Sequence, residues 1–247
     1  MEEENVVNTT IVSAIISNIN SFRNIDKYIE YGLNLLQINI PKIIFIEKDI
    51  FNNFLSNQEF KNTHFIFFEK KDNYLYDYIN DLTNNFIITD NPDKDTIDYL
   101  LVMNHKTEWM KLAIENNYYN SDQFIWLDFG IYHIFNNNID LFNKSIYSVL
   151  NKKYDLIRIA SIWECDLIYD EYIHKEICWV FAGGVFGGSK NSLLKFADMM
   201  KNKCISYIQE HKNLIWEVNI WYLIYNENKY FFDIYKADHN SSIIINY

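Results

Sequence analysis

The chain has 247 residues, a net charge of −11 and an apolar share of 49%, enough hydrophobic sequence for a sizeable core in one large domain or two small ones, and too much for a disordered chain. The acidic balance, with no Lys-rich or Arg-rich cluster to offset it, excludes a protein whose affinity comes from neutralising phosphate backbones, so nucleic acid is not an expected partner. The N-terminus reads Met1-Glu2-Glu3-Glu4 instead of a basic stretch before an apolar one, and no apolar run approaches the ~20 residues that span a bilayer, so a soluble, cytoplasmic protein without a transmembrane segment is expected.

Strand-like and helix-like segments alternate along the chain. Residues 10–16 are a β-branched apolar run and read as a buried first strand. In the stretch 24–36, Ile25, Tyr28, Ile29, Leu33 and Leu36 are spaced for one helix face. After Pro41 come a second strand at 42–47 and a third at 64–69, an order that predicts a parallel or mixed α/β sheet. The Asn- and Tyr-rich residues 73–90 read as helix or loop, and Pro92 marks a break before a long helix over 96–116. Residues 123–128 are apolar on both faces, which places that strand in the middle of the sheet. Further strands are expected at 155–160, 177–182 and 230–234, with helices at 192–209 and 214–225. There is no Pro/Gly/Ser-rich linker and no internal repeat, so the chain reads as one domain over 1–247.

Five of the six glycines fall in two segments, Trp126-Leu127-Asp128-Phe129-Gly130 and Ala182-Gly183-Gly184-Val185-Phe186-Gly187-Gly188. Asp128 stands at the carboxyl end of the central strand, where open α/β sheets bind ligands; the competing reading is a turn-forming aspartate before a glycine with φ > 0. The second segment reads as a loop between strand and helix. It matches neither the P-loop nor the GxGxxG fingerprint, which leaves a backbone able to lie against a flat or bulky ligand such as a sugar, or a structural crossover. Lys106 falls on the inward helix face marked by Trp109, Leu112 and Ala113, so it reaches for solvent or meets an anion. Glu217 is embedded among Trp216, Val218, Ile220, Trp221 and Ile224, where a carboxylate is costly unless it is paired, hydrogen-bonded or kept for function. Cys165, Cys178 and Cys204 lack metal-ligand spacing and read as buried thiols. Arg23 and Arg158 are the chain's two arginines, each a functional cation or a plain ion pair.

The combination of Asn104-His105-Lys106-Thr107-Glu108, Trp126-Leu127-Asp128-Phe129-Gly130, the glycine-rich segment and the late acidic helix resembles the HtrL/YibB family, whose members are similar to nucleotide-sugar glycosyltransferases of the GT-A type. The resemblance spans most of the chain. It implies a GT-A-like, Rossmann-type three-layer α/β/α domain with a mixed, mostly parallel central sheet, its nucleotide-binding half over roughly 1–130 and its acceptor half over roughly 131–247. It implies transfer of a sugar from a nucleotide-sugar donor, foremost a UDP-sugar, to a hydroxyl or amine of a glycan, protein or small-molecule acceptor. Ser13 and Arg23 would then meet the nucleoside and Lys106 the diphosphate or sugar. Asp128 would stand for the first acid of the DxD motif, with Gly130 where a second acid is often found. Gly183 and Gly184 would line the donor sugar, and Glu217 would be the catalytic or sugar-orienting carboxylate. Mn²⁺ or Mg²⁺ would be held by Asp128 with a late histidine, His239. Trp163, Trp179 and Trp216 are candidates for the acceptor site, since aromatic rings suit sugar faces. Two other readings stay open: a GT-A-fold glycan- or partner-binding module that has lost catalysis, and a sugar-nucleotide nucleotidyltransferase, which would lack its usual early glycine-rich basic loop.

Overall fold

The computed structural model describes residues 8–17, 25–83, 87, 89, 91, 94–164 and 170–247; Arg23, Pro92 and Cys165 lie outside them. β1 (Thr9–Ile15) leads through α1 (Ile25–Leu36) to β2 (Lys42–Ile46), and the short α2 (Lys48–Ile50) with a π-helical turn (Phe51–Leu55) leads to β3 (Thr63–Phe67). A 3-10 turn (Tyr76–Asp81) precedes α3 (Ile97–Asn104) and α4 (Lys106–Asn116), which feed β4 (Gln123–Leu127). Beyond a 3-10 turn at Ile131–Phe135 follow α5 (Ile139–Leu150), β5 (Ile157–Ser161), α6 (Asp170–Ile173) and β6 (Phe181–Ser189). The last elements are α7 (Lys190–His211), α8 (Glu217–Glu227), β7 (Phe232–Lys236) and α9 (Ser242–Ile245). No helix among the described residues is long and apolar enough to cross a membrane.

The strands form one seven-stranded sheet in the order β3-β2-β1-β4-β6-β5-β7. β1 to β4 are mutually parallel, β6 is antiparallel to both neighbours, and β7 is parallel to β5. The fold is thus the mixed α/β sheet that the alternation predicts, in the mostly parallel, Rossmann-like arrangement that the resemblance implies. The chain winds outward from β1 to β2 and β3, then returns to lay β4 on the other side of β1. That reversal leaves a crevice beyond the carboxyl ends of β1 and β4, the position at which such sheets bind ligands.

The central strand divides the core by its period of two. Phe124 and Trp126 join the cluster under α3, α4, α7 and α8, whereas Ile125 and Leu127 join the one under α5 and α9. Trp126 stacks on Trp109 of α4 and on Phe186 of β6, with ring centroids 5.9 and 6.1 Å apart. Arg158 pairs with Asp233 at 2.8 Å and lies over the rings of Tyr154 and Tyr235, so it is a tie between β5 and β7.

The helix expected over 96–116 is two helices. The Leu101 carbonyl, which a continuing helix would offer to the His105 N–H, accepts from the side-chain amide of Asn73 at 2.9 Å, and the His105 N–H falls to Val102 instead. The glycine-rich segment is not a loop. It is most of β6, which pairs with β4 from Val185 to Ser189 and with β5 at Phe181, Phe186 and Gly187 on either side of a register shift; glycine in a strand also marks the close approach of other groups. β7 begins at Phe232, not Tyr230, and α5 fills a stretch to which the sequence reading assigns no element.

Candidate active site

Lys106 is the first residue of α4, and the break after Asn104 turns it towards the end of the sheet. Its Nζ lies 3.0 Å from Glu217 Oε1, 3.1 Å from Asp128 Oδ1 and 3.0 Å from the Gly183 carbonyl oxygen. An ammonium has three donors, so all are engaged. Of the two fates open to this lysine, it meets anions: it is 2% exposed. Burial by itself pushes its pKa down, but the charges of Asp128 and then Glu217 outweigh burial and raise it above the ordinary lysine value. Lys106 is a fixed, protonated bridge between two carboxylates. The resemblance has Lys106 approach the diphosphate or donor sugar; its three donors are already engaged by protein groups.

Asp128 leaves β4 with its backbone N–H donated to the Gly184 carbonyl at 3.0 Å. Its Oδ1 accepts from Trp126 Nε1 at 2.8 Å as well as from Lys106, so the stacked tryptophan also orients the carboxylate. No described residue donates to Oδ2, and the side chain is 33% exposed. Glu217 is the opposite: it is 3% exposed and its Oε2 has no hydrogen-bond partner. It opens α8, where the helix dipole favours a negative charge. Two buried amides hold this helix start. Asn104 Nδ2 donates to the Ile215 carbonyl at 2.9 Å. Asn219 donates to the carbonyls of Ile173 and Glu176, both at 2.7 Å. Gly183 completes the fit, since a Cβ there would lie 2.5 Å from Glu217 Oε1.

Two cavities meet at these residues. The first, about 350 Å³, occupies the crevice and is lined by Ala14 of β1, Ile16 and Ser17 just after it, Tyr28 of α1, and Asp49. The second, about 250 Å³, is walled by Trp179, Trp216, His133, His239, Gly183 and Gly184, with Glu217 at its buried end. Tyr99, Met103, Lys106 and Asp128 line both. One exposed carboxylate therefore stands at the junction of a larger chamber and a smaller, aromatic-walled one.

The structure thus gathers Lys106, Asp128, Gly183, Gly184, Glu217, Trp179, Trp216 and His239. His239 meets Trp179 edge-on, with ring centroids 4.8 Å apart. Three expectations fail. Ser13 lines neither cavity, because strand parity turns it away from Ala14, and its hydroxyl donates to the Leu127 carbonyl at 2.6 Å. Gly130 has φ −87°, so no positive φ requires it; a Cβ there would lie 2.5 Å from the Tyr28 ring, and the glycine is a packing residue behind the site. Trp163 is 36% exposed and packs against Tyr172, outside both cavities. The sequence reading misses Tyr99, Ser17 and His133. Tyr99 and Met103 stand seven and three residues before Lys106, a helical spacing that could have joined them to it. Ser17 and His133 carry no such signal.

For a divalent ion, the described residues contain no group of three or more His, Cys, Asp or Glu side chains able to cage it. The open Oδ2 of Asp128 does fit the mode in which Mg²⁺ takes one or two carboxylates and completes its shell with substrate phosphates and water.

A search of curated proteins finds no match. Among solved structures, the chain is similar to 4-diphosphocytidyl-2C-methyl-D-erythritol synthase from Anaerococcus prevotii DSM 20548, with 10% identity, a TM-score of 0.44, and coverage of 97% of this chain and 90% of that one. Residues 9–242 match the family described as "Bacterial protein of unknown function (HtrL_YibB)". The chain belongs to the HtrL_YibB family.

Proposed function

We propose that the protein is a glycosyltransferase that moves a sugar from a nucleotide donor, foremost a UDP-sugar, to an acceptor hydroxyl or amine. The observation that carries this reading is the pair of cavities sharing Asp128, with Glu217 at the buried end of the smaller one. A nucleoside fits the crevice cavity, its diphosphate reaches the shared rim, and the sugar enters the aromatic-walled cavity. There Trp179 and Trp216 offer faces to the ring. Glu217, at the buried end of that cavity, would orient the sugar through its carboxylate charge. Lys106 holds both carboxylates in place without spending a proton on the ligand.

Asp128, with His239 on the same wall, would hold Mn²⁺ or Mg²⁺. Bound to diphosphate oxygens, such an ion neutralises charge on the departing nucleotide. A non-catalytic binding module has less use for a carboxylate as completely buried as Glu217. Thermal-shift screening of nucleoside diphosphates and nucleotide sugars, with and without Mn²⁺, tests the reading. Stabilisation by a UDP ligand is expected in the parent and not in Asp128→Asn, which keeps the volume of the side chain but not its charge. No shift with any nucleotide sinks the donor site.

A further inference from the structure

We infer that His133 is the catalytic base of the transfer and takes the acceptor's proton on Nε2, an inference that rests on the glycosyltransferase reading of the second cavity. His133 is exposed, lines that cavity, and sits on the 3-10 turn directly after Asp128. Its backbone N–H meets the Gly130 carbonyl oxygen at 3.1 Å and its ring Nδ1 meets the same oxygen at 2.7 Å. A carbonyl oxygen only accepts, so Nδ1 carries the proton and the neutral ring keeps its lone pair on Nε2. Holding one ring nitrogen on a backbone carbonyl is how proteins fix a histidine's tautomer. The turn is itself fixed, since the Ile131 N–H donates to the Asp128 carbonyl at 2.9 Å. Asp128 and the histidine are therefore carried on one rigid piece of chain.

The other charged or titratable groups on this wall are Lys94, Tyr99, Lys106, Asp128, Glu217 and His239. Lys106 has all its donors engaged and stays protonated. Glu217 is buried, so a proton taken there has no direct way out to water. Asp128 gives one oxygen to Lys106 and Trp126 and faces the diphosphate with the other. His239 has its ring packed edge-on against Trp179, with no acceptor fixing its tautomer among the described contacts. His133 alone of these combines a fixed tautomer with an exposed ring.

In the step, the acceptor oxygen forms a bond to the anomeric carbon. The bond from that carbon to the diphosphate oxygen breaks, and its electron pair leaves with the nucleoside diphosphate. The acceptor's proton passes to Nε2 and then to solvent. A base on the acceptor side makes this a single displacement, so the configuration at the anomeric carbon inverts.

The test uses UDP-glucose, UDP-galactose and UDP-N-acetylglucosamine as donors and methanol as the acceptor, following UDP release and the configuration of the methyl glycoside. His133→Asn keeps an amide donor near the Gly130 carbonyl but has no counterpart of Nε2. It is expected to slow transfer ~10²–10⁴-fold and to leave stabilisation by UDP unchanged. Unchanged turnover in this variant, or retention of configuration in the parent, overturns the inference while leaving the donor site standing. Absence of nucleotide binding in the parent sinks the donor reading and this role with it. A second measurement needs no substrate: ¹⁵N-histidine NMR at alkaline pH, assigned by the signal missing in His133→Asn. It is expected to show Nδ1 protonated, and an Nε2-protonated ring overturns the inference by itself.

Discussion

Lys42 and Lys106 are both buried lysines, at opposite ends of the same sheet. Lys42 opens β2, at the amino ends of the parallel strands, and its Nζ donates to the carbonyls of Ile38 and Ile40, the latter at 3.0 Å. No described carboxylate pairs with it, and burial lowers its pKa to about 8. Lys106 lies at the carboxyl ends with two carboxylates on it, and its pKa moves the other way. Burial of a cation is thus no sign of a site. The sign is a cation whose anionic partners keep oxygens in reserve, as Asp128 keeps Oδ2 and Glu217 keeps Oε2.

The largest effect that would test this contrast is Lys106→Met. Removing one partner from a buried ion group costs ~3–5 kcal/mol because the remaining charges stay unpaired, and stabilisation by UDP should vanish with it. Urea unfolding at neutral pH reads the first and thermal shift the second. A Met variant as stable as the parent would break the comparison. Glu217→Gln comes next: it keeps the helix start but loses the charge, and a hydrogen bond to a charged group is worth ~1.5–3 kcal/mol. Transfer should fall about 10–100-fold with UDP stabilisation intact; full turnover would remove Glu217 from the sugar site. Lys42→Met leaves the two loop carbonyls without their donor, at ~1–3 kcal/mol of stability. Nucleotide binding should be untouched, and its loss would mean that the far end of the sheet is coupled to the crevice.

The sequence makes the strand order's essentials and one end of the site legible, and for identifiable reasons. Apolar runs on both faces of residues 123–128 place β4 centrally, and a carboxylate just past a central strand points to the crevice, so Asp128 can be found without coordinates. Glu217 betrays itself by being acidic among tryptophans and isoleucines. Ser13 is misplaced because parity along β1 decides which side chain faces the crevice, and that depends on which face of the sheet carries α4. The glycines mislead for the opposite reason: their local preference is for a turn, but β6 needs Gly183 so that Glu217 can lie against the strand and Gly187 so that Tyr247 can. Lys106 cannot be assigned from its helix face alone, since its partners come from residues 22 and 111 positions further along the chain. His133 leaves no trace, because its tautomer is set by a carbonyl three residues earlier in a turn whose shape the sequence does not specify.

The smallest effect concerns a third buried base, His105, the neighbour of Lys106, which has no partner of any kind. Neither ring nitrogen has a hydrogen-bond partner, and the ring is packed against Phe68, Tyr74 and Trp109 at centroid distances of 5.1, 5.3 and 4.8 Å. Burial first, and then the charge of Lys201, lower its pKa from the ordinary histidine value of 6.5 to about 3. The native ring is therefore neutral, and between these two values the unfolded chain binds a proton that the native chain refuses. The contribution is present in full above the unfolded value and is lost as pH falls, with a slope approaching ~1.4 kcal/mol per pH unit. Over the first unit below 6.5 the loss is about 1 kcal/mol, since the unfolded ring is only part-protonated at the start of that interval. His105→Phe keeps an aromatic ring in the same box and removes the titration, so the urea midpoint of the variant should fall less than the parent's between pH 6.5 and about 5.5. Equal losses in the two proteins would assign the acid sensitivity to other groups, and a buried base with no anion would then carry less of the protein's pH response than its packing requires.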